Sequence, residues 1–210
     1  KRKFKKKNDE EILSYLRTLI KNSKIENNEI SNIHNLYIYY LSKNKENQKE
    51  LIDYLKEPIN TDIDSYNDIK DKKQVLFQLD YAKKLFRNNI QARILLLALM
   101  GKYIESIDLA MSNPTDENCR QLAKYIASNA PNEKLKKQLW INIFTHYKQD
   151  EVGPQRIMAE SKILKIEDIL PFISDKIKIE DFKKQISKCI TEYEENIKSL
   201  KSDINEYNNA

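Results

Sequence analysis

Glycine occurs only twice in 210 residues. Two-residue β-hairpins depend on Asn-Gly, Asp-Gly and related turns, and the chain has none. A fold built on strands therefore has almost nothing to reverse direction with. One of the two glycines, Gly101, sits where it suits a helical fold. An apolar run of Ile94, Leu95, Leu96, Leu97, Leu99 and Met100 stops at it, and a second helical pattern starts at Tyr103 and continues through Ile107 and Ala110. Glycine closes a helix well because it enters the left-handed conformation without a Cβ penalty. Residues 92–110 thus read as two antiparallel helices joined by a very tight turn. That is the repeating unit of an α-solenoid, an architecture used for scaffolds more than for catalysis.

The apolar fraction is 40% and the charged fraction 33%, which suits a thin helical stack with much exposed surface. The net charge of +5 is misleading. Residues 1–7, K-R-K-F-K-K-K, hold six of the 37 basic residues, and the other 31 face 32 acids. The body therefore carries no electrostatic footprint for nucleic acid. The basic run is expected to be a solvated, disordered lead-in over residues 1–8, although such a run also suits anionic lipid or a nuclear address. It lacks the apolar stretch of a signal peptide. The first residue is lysine, which suggests an interior piece of a longer protein. The longest apolar run, Ile94 to Met100, is far too short to span a bilayer.

No motif with catalytic or metal-binding spacing emerges. Cys119 and Cys189 are isolated and read as reduced thiols. His34 and His146 lack a second ligand at metal spacing. Cys119 and His146 could form a nucleophile and base, but both lie in ordinary helical pattern with no glycine-rich oxyanion loop. The expectation is no catalytic residue, no cofactor and no metal in this segment.

Apolar residues recur at three- and four-residue steps along the whole chain. Ile12, Leu13, Leu16, Leu19 and Ile20 mark a helix over about residues 9–21. Ile33, Leu36, Tyr37, Tyr40 and Leu41 mark a second. Leu51, Ile52, Tyr54 and Leu55 mark a third that ends near Glu57, because Pro58 follows. Residues 58–72 have no periodic face and read as a long mobile loop. Val75, Leu76, Leu79, Ala82, Leu85 and Phe86 make the next helix. After the pair around Gly101, Thr115 is expected to cap a helix carrying Leu122, Ala123, Ile126 and Ala127. Pro131 restarts the chain before Leu135, Leu139, Trp140, Ile143, Phe144 and Tyr147. Gly153-Pro154 signals a turn. Ile157 and Met158 form a short helix, and Ile166, Ile169 and Leu170 follow, stopped by Pro171. Each helix is apolar on one side, so each needs neighbours.

The last helix differs from the rest. Ile186, Ile190, Tyr193, Ile197, Leu200, Ile204 and Tyr207 alternate in steps of four and three without a slip, as in the seam of a coiled coil. Two readings stand: a helix packed on the end of the solenoid, or a partner-binding coiled coil through Ile190, Tyr193, Ile197, Leu200 and Ile204. The resulting expectation is an all-α chain. It has a basic segment over 1–8, a helical solenoid over 9–178 and a long coiled-coil-like helix over 179–210.

The run Leu164-Lys165-Ile166-Glu167-Asp168-Ile169-Leu170-Pro171-Phe172 resembles the L-K-I-E-D-[IV]-L-P-F signature of the vacuolar protein sorting-associated protein eighteen, or deep orange, family. Ile179 to Lys183 resembles that family's I-x-x-F-K step into its final helix. Tyr193 with the following E-E-N-I-K-S-L resembles its Y-x-x-x-I-x-x-L seam. Lys137-Gln138-Leu139-Trp140 resembles its K-x-L-W helix, and Gly101 to Ala110 resembles its L-Y-E-E-A-V-D-L-A turn. These similarities run in the family's order over about residues 74–207; residues 1–73 are compatible with it. Ser106 stands where the family often has alanine. The resemblance implies a clathrin-heavy-chain-like α-solenoid in a subunit of the HOPS and CORVET tethers. It implies peripheral association with endosomal and vacuolar membranes, other tether subunits as partners, and Rab GTPases and SNAREs as indirect ones. The last helix would contact the related RING-bearing core subunit. In the family a β-propeller precedes this segment and a zinc-binding RING finger follows it, so any ubiquitin-ligase activity would reside beyond Ala210. A generic repeat adaptor of tetratricopeptide or proteasome-lid type is the other reading.

Overall fold

The computed structural model describes residues 2–21, 27–59, 75–113, 115–147, 153–172 and 183–209, and all regular structure among them is helical. The chain clusters into two compact units, Lys1–Asn132 and Glu133–Ala210. The expected boundary between solenoid and final helix, at 178/179, lies outside the described residues, as do residues 60–72 of the expected loop.

In the first unit α1 spans Arg2–Lys21, α2 Asn27–Lys43, α3 Gln48–Lys56, α4 Leu79–Leu85, α5 Ile90–Leu99, α6 Tyr103–Met111 and α7 Glu117–Ser128. The basic run is a correction to the sequence reading. Residues 2–8 are the first turns of α1, not a disordered lead-in. Lysine and arginine are among the better helix formers, and α1 is already nucleated by its buried Leu13 and Leu16.

Helices α1 and α2 run antiparallel, with Asp9 near the start of α1 pairing with Lys43 at the end of α2, 2.6 Å apart. A second polar tie joins three helices. Arg17 of α1 donates from Nε and Nη2 to the two oxygens of Glu50 of α3, at 2.7 and 2.5 Å. Tyr37 of α2 donates to the same carboxylate at 2.8 Å. The α2 face differs from the one expected. His34, Tyr37, Ile38 and Leu41 are buried, while Leu36 is exposed. Isoleucine, leucine and tyrosine lie all around this helix, so spacing alone allows two faces. The polar partner of His34 decides between them, since its Nδ1 lies 2.5 Å from the Tyr54 hydroxyl.

Helix α3 ends where expected, and Ile59 folds back so that its N–H donates to the Lys56 carbonyl at 3.0 Å. Helix α4 starts later than the apolar pattern suggests. Residues 75–78 are not helical. The Gln78 N–H is taken by the Asn35 side chain at 2.9 Å, and Phe77 is buried on its own account. Asn89 caps α5 by accepting from the Ala92 N–H at 3.1 Å. It also exchanges two amide hydrogen bonds with Gln48 of α3.

The turn after α5 forms as the sequence requires. Gly101 has φ of +77°. Its N–H donates to the Ala98 carbonyl and the Lys102 N–H to the Leu97 carbonyl, both at 2.9 Å. This pair of bonds is the Schellman closure, and it satisfies two otherwise orphaned carbonyls. The chain enters α6 at once. Ile94, Leu95 and Leu96 of α5 and Ile107, Ala110 and Met111 of α6 are buried. Burying each large apolar side chain is worth about 1.5–3 kcal/mol. Ser106 is fully buried between the two helices, and its hydroxyl donates to the Ile94 carbonyl at 2.7 Å. A polar residue is thus accommodated in an apolar contact. The cap of α7 is Asp116, not Thr115. The Asp116 carboxylate accepts from the Asn118 and Cys119 N–H groups, whereas Thr115 donates to the Asn113 side chain. The ionised oxygen, one residue further on, is the stronger acceptor for the helix start.

In the second unit α8 spans Glu133–His146, α9 Gly153–Ser161, α10 Ile166–Ile169 and α11 Lys183–Asn209, with a 3-10 turn at Leu170–Phe172. Gly153-Pro154 opens α9, a position proline favours because it lacks an N–H to satisfy there. Leu139, Trp140, Ile143 and Phe144 of α8 are buried, as are Ile157, Leu164, Ile166 and Ile169.

Candidate functional site

The elements that set up α11 begin at the short α10. One helical turn cannot hold itself together by backbone bonds alone, and side chains secure it here. Asp168 accepts from the Lys165 N–H at 2.9 Å, closing the start of the turn. Its other oxygen accepts from Lys137 of α8 at 2.8 Å. The K-x-L-W helix and the L-K-I-E-D-I-L-P-F run are therefore joined through Lys137 and Asp168. Ile166 and Ile169 add the apolar side of the same contact.

The neighbouring acid faces the other way. Glu167 Oε2 accepts from the Tyr193 hydroxyl and from Cys189 Sγ, the latter at 3.6 Å. Lys165 lies 4.0 Å from Glu192. These groups hold the first turns of α11 against α10. Glu167 was not singled out by its sequence. It stands beside Asp168 and two residues from Lys165, and only the fold reveals which of these charged residues reaches across. Glu167 and its partial shielding push both the Cys189 thiol and the Tyr193 phenol up from their ordinary values; for Cys189 burial is the larger cause, and for Tyr193 the hydrogen bond to Glu167.

Apart from these contacts the seam is open. Ile190, Tyr193, Ile197, Leu200, Ile204 and Tyr207 are between 51% and 88% exposed. The stripe of Ile190, Tyr193, Ile197, Leu200 and Ile204 is thus continuous along one helix, and only Tyr193 is tied to α10, through its hydroxyl. Ile186, at the start of the seam, is half-buried. A contiguous apolar stripe on an exposed helix marks a contact surface more often than an ordinary face.

The other titratable candidates have structural explanations. Cys119 is buried, donates to the Asp116 carboxylate at 3.2 Å, and burial pushes its thiol up to about 12. It stays protonated at neutral pH and is a poor nucleophile. His34 is held low by burial and belongs to an aromatic cluster with Tyr54, Tyr37 and Phe77. Among the described residues no group of three or more His, Cys, Asp and Glu is placed to hold a metal ion. None of the described helices is long and apolar enough to cross a membrane.

Comparison with known proteins shows what the chain is similar to. Residues 1–147 match the family model described as VPS18, alpha-solenoid domain, second half. The match takes in residues 1–73 and stops short of the Leu164–Phe172 run. Among curated relatives, the vacuolar protein sorting-associated protein 18 homolog of Danio rerio is 34% identical over 137 residues, which is 62% of this chain and 13% of the relative. The homolog of Drosophila melanogaster is 30% identical over 142 residues, 65% of this chain and 14% of the relative. The vacuolar sorting protein 18 of Arabidopsis thaliana is 28% identical over 125 residues, 55% and 12% respectively. The aligned part is thus a small share of each relative's length. No solved structure matches the chain.

Proposed function

The chain belongs to the VPS18 family, and from that premise we propose that it serves vacuolar protein sorting as a non-catalytic helical segment of a membrane tether of the HOPS and CORVET kind. Relatives named for vacuolar protein sorting support the broad role. The observation that carries the finer reading is the exposed seam of α11, a surface suited to another helix and to little else. Its partner in this reading is another tether subunit, by resemblance the related RING-bearing core subunit. Rab GTPases and SNAREs are reached indirectly through the assembled complex. The protein works from the cytoplasmic face of late endosomal and vacuolar membranes as a peripheral component. The test is affinity purification of the full-length protein with identification of the chains that accompany it. Recovery of the tether subunits is the expected result. Recovery of the protein free of every other tether subunit would sink the reading.

A further inference from the structure

We propose that the α11 seam is self-complementary, and that two copies of this chain pair through it as an antiparallel coiled coil when no other subunit occupies it. The inference goes beyond the tether reading and does not depend on it.

Six exposed residues form the stripe, and they fall alternately on the two seam positions. Ile190, Ile197 and Ile204 occupy one, and Tyr193, Leu200 and Tyr207 the other. In a parallel pair each residue meets its own copy, so Tyr193 would face Tyr193 and Tyr207 would face Tyr207. Those layers would be overfilled next to layers of paired isoleucine. In an antiparallel pair centred between Lys198 and Ser199, each position of one kind meets one of the other. Tyr207 then lies opposite Ile190, Tyr193 opposite Ile204, and Leu200 opposite Ile197. Every layer holds one residue of each kind, and all six stripe residues are used over about 26 Å of helix.

The flanking charges select the same arrangement. Glu194 and Lys201 are exposed on one flank of the stripe. In the centred antiparallel pair Glu194 of each copy faces Lys201 of the other, giving two ion pairs. On the opposite flank Asn196 faces Asp203. In a parallel pair Glu194 would face Cys189 and Lys201 would face Asn196, with no ion pair from either charge. Sliding the antiparallel pair by one heptad brings Glu194 against Glu194, or Lys201 against Lys201, and leaves apolar residues unmatched. Pattern and charge therefore specify orientation and register together.

The attachment to α10 agrees. Among the described residues, Glu167 and Lys165 flank the first turns of α11. The Tyr193 hydroxyl is engaged there, but its ring remains half exposed. An antiparallel pair puts the α10 ends of the two copies at opposite ends of the coil, whereas a parallel pair would bring both to the same end.

The test is sedimentation equilibrium of the 210-residue chain alone, with single and double charge exchanges. The wild-type chain should dimerise. Glu194→Lys and Lys201→Glu each turn two attractions into two repulsions and should each weaken the dimer about tenfold, given the modest strength of exposed ion pairs. The double exchange restores both pairs and should return the dimer to within about threefold of wild type. A chain that stays monomeric at every concentration overturns the proposal, and so does a dimer indifferent to the single exchanges, as a parallel pair would be. A single exchange that abolishes capture of a tether subunit without weakening the homodimer would also overturn it, while leaving the tether reading intact.

Discussion

At Gly101 the whole cost of substitution lies in the backbone. A Cβ built there would meet nothing within 4 Å, yet φ is +77°. Gly101→Ala should therefore destabilise the chain by about 1–2 kcal/mol, the penalty of an L-residue in the left-handed region. Gly101→Val should cost more, because branching at Cβ worsens the same strain. Chemical denaturation midpoints would check both, and equal stability of Gly101→Val and wild type would contradict the argument. This residue was legible in the sequence because a lone glycine after an apolar run has few other uses. Ser106 was less so, since its hydroxyl finds a carbonyl only after α5 and α6 are in place. Glu50 makes a second residue-scale case. Hydrogen bonding to Arg17 holds its carboxyl below its ordinary value of 4.5. A depressed folded value contributes stability above the unfolded value and loses it as pH falls through the carboxylate range. Glu50→Gln, which cannot titrate, should thus be less stable than wild type at neutral pH, with a gap that narrows on acidification toward about pH 3. Thermal melts across that range would show it. A gap that widens at low pH would refute the role given to Arg17.

Helix by helix, what could be read depended on whether an element had one apolar side. Helices α3, α6 and α8 do, and their positions were clear from spacing. Helix α2 carries apolar residues around its circumference, so His34 and Ile38 entered the core where Leu36 was expected. Helix α4 was overlong in the sequence pattern, because Val75 and Leu76 keep the spacing of Leu79 and Ala82 although residues 75–78 are not helical and the Gln78 N–H is taken by the Asn35 side chain. Residues 2–8 are helical rather than disordered, because lysine and arginine sustain a helix despite their charge density. The cap of α7 slipped by one residue, since threonine and aspartate are both good capping residues and lie side by side. The correction is itself testable. Asp116→Ala should cost about 1 kcal/mol by leaving the Asn118 and Cys119 N–H groups without their acceptor. Thr115→Ala should cost measurably less, because Thr115 caps nothing. Equal losses from the two substitutions in denaturant titrations would restore threonine as the cap.

For the whole molecule, the question is whether α11 belongs to the stability of the chain or to what the chain meets. Its seam was legible from spacing alone, whereas the α10 attachment that anchors it was not, because Glu167 and Asp168 look alike in sequence and face opposite neighbours in the fold. The stripe residues are already half exposed or more, so polar replacements remove little buried apolar surface. Placing aspartate at both Ile197 and Leu200 should cost only the helix-propensity difference, about 0.5 kcal/mol per residue at most, and that loss falls on turns of α11 that follow the Tyr193 contact with α10. The thermal melt of the buried Trp140 environment, followed by its fluorescence, should therefore be nearly unchanged. Association through the seam should fail in both forms: the chain should be monomeric, and the full-length protein carrying the same pair should no longer bring down another tether subunit. A shifted Trp140 melt would mean that α11 supports the body. An unchanged melt with full capture of the other subunit would mean that the partner reads a different surface, and that the uninterrupted seam serves only the second copy.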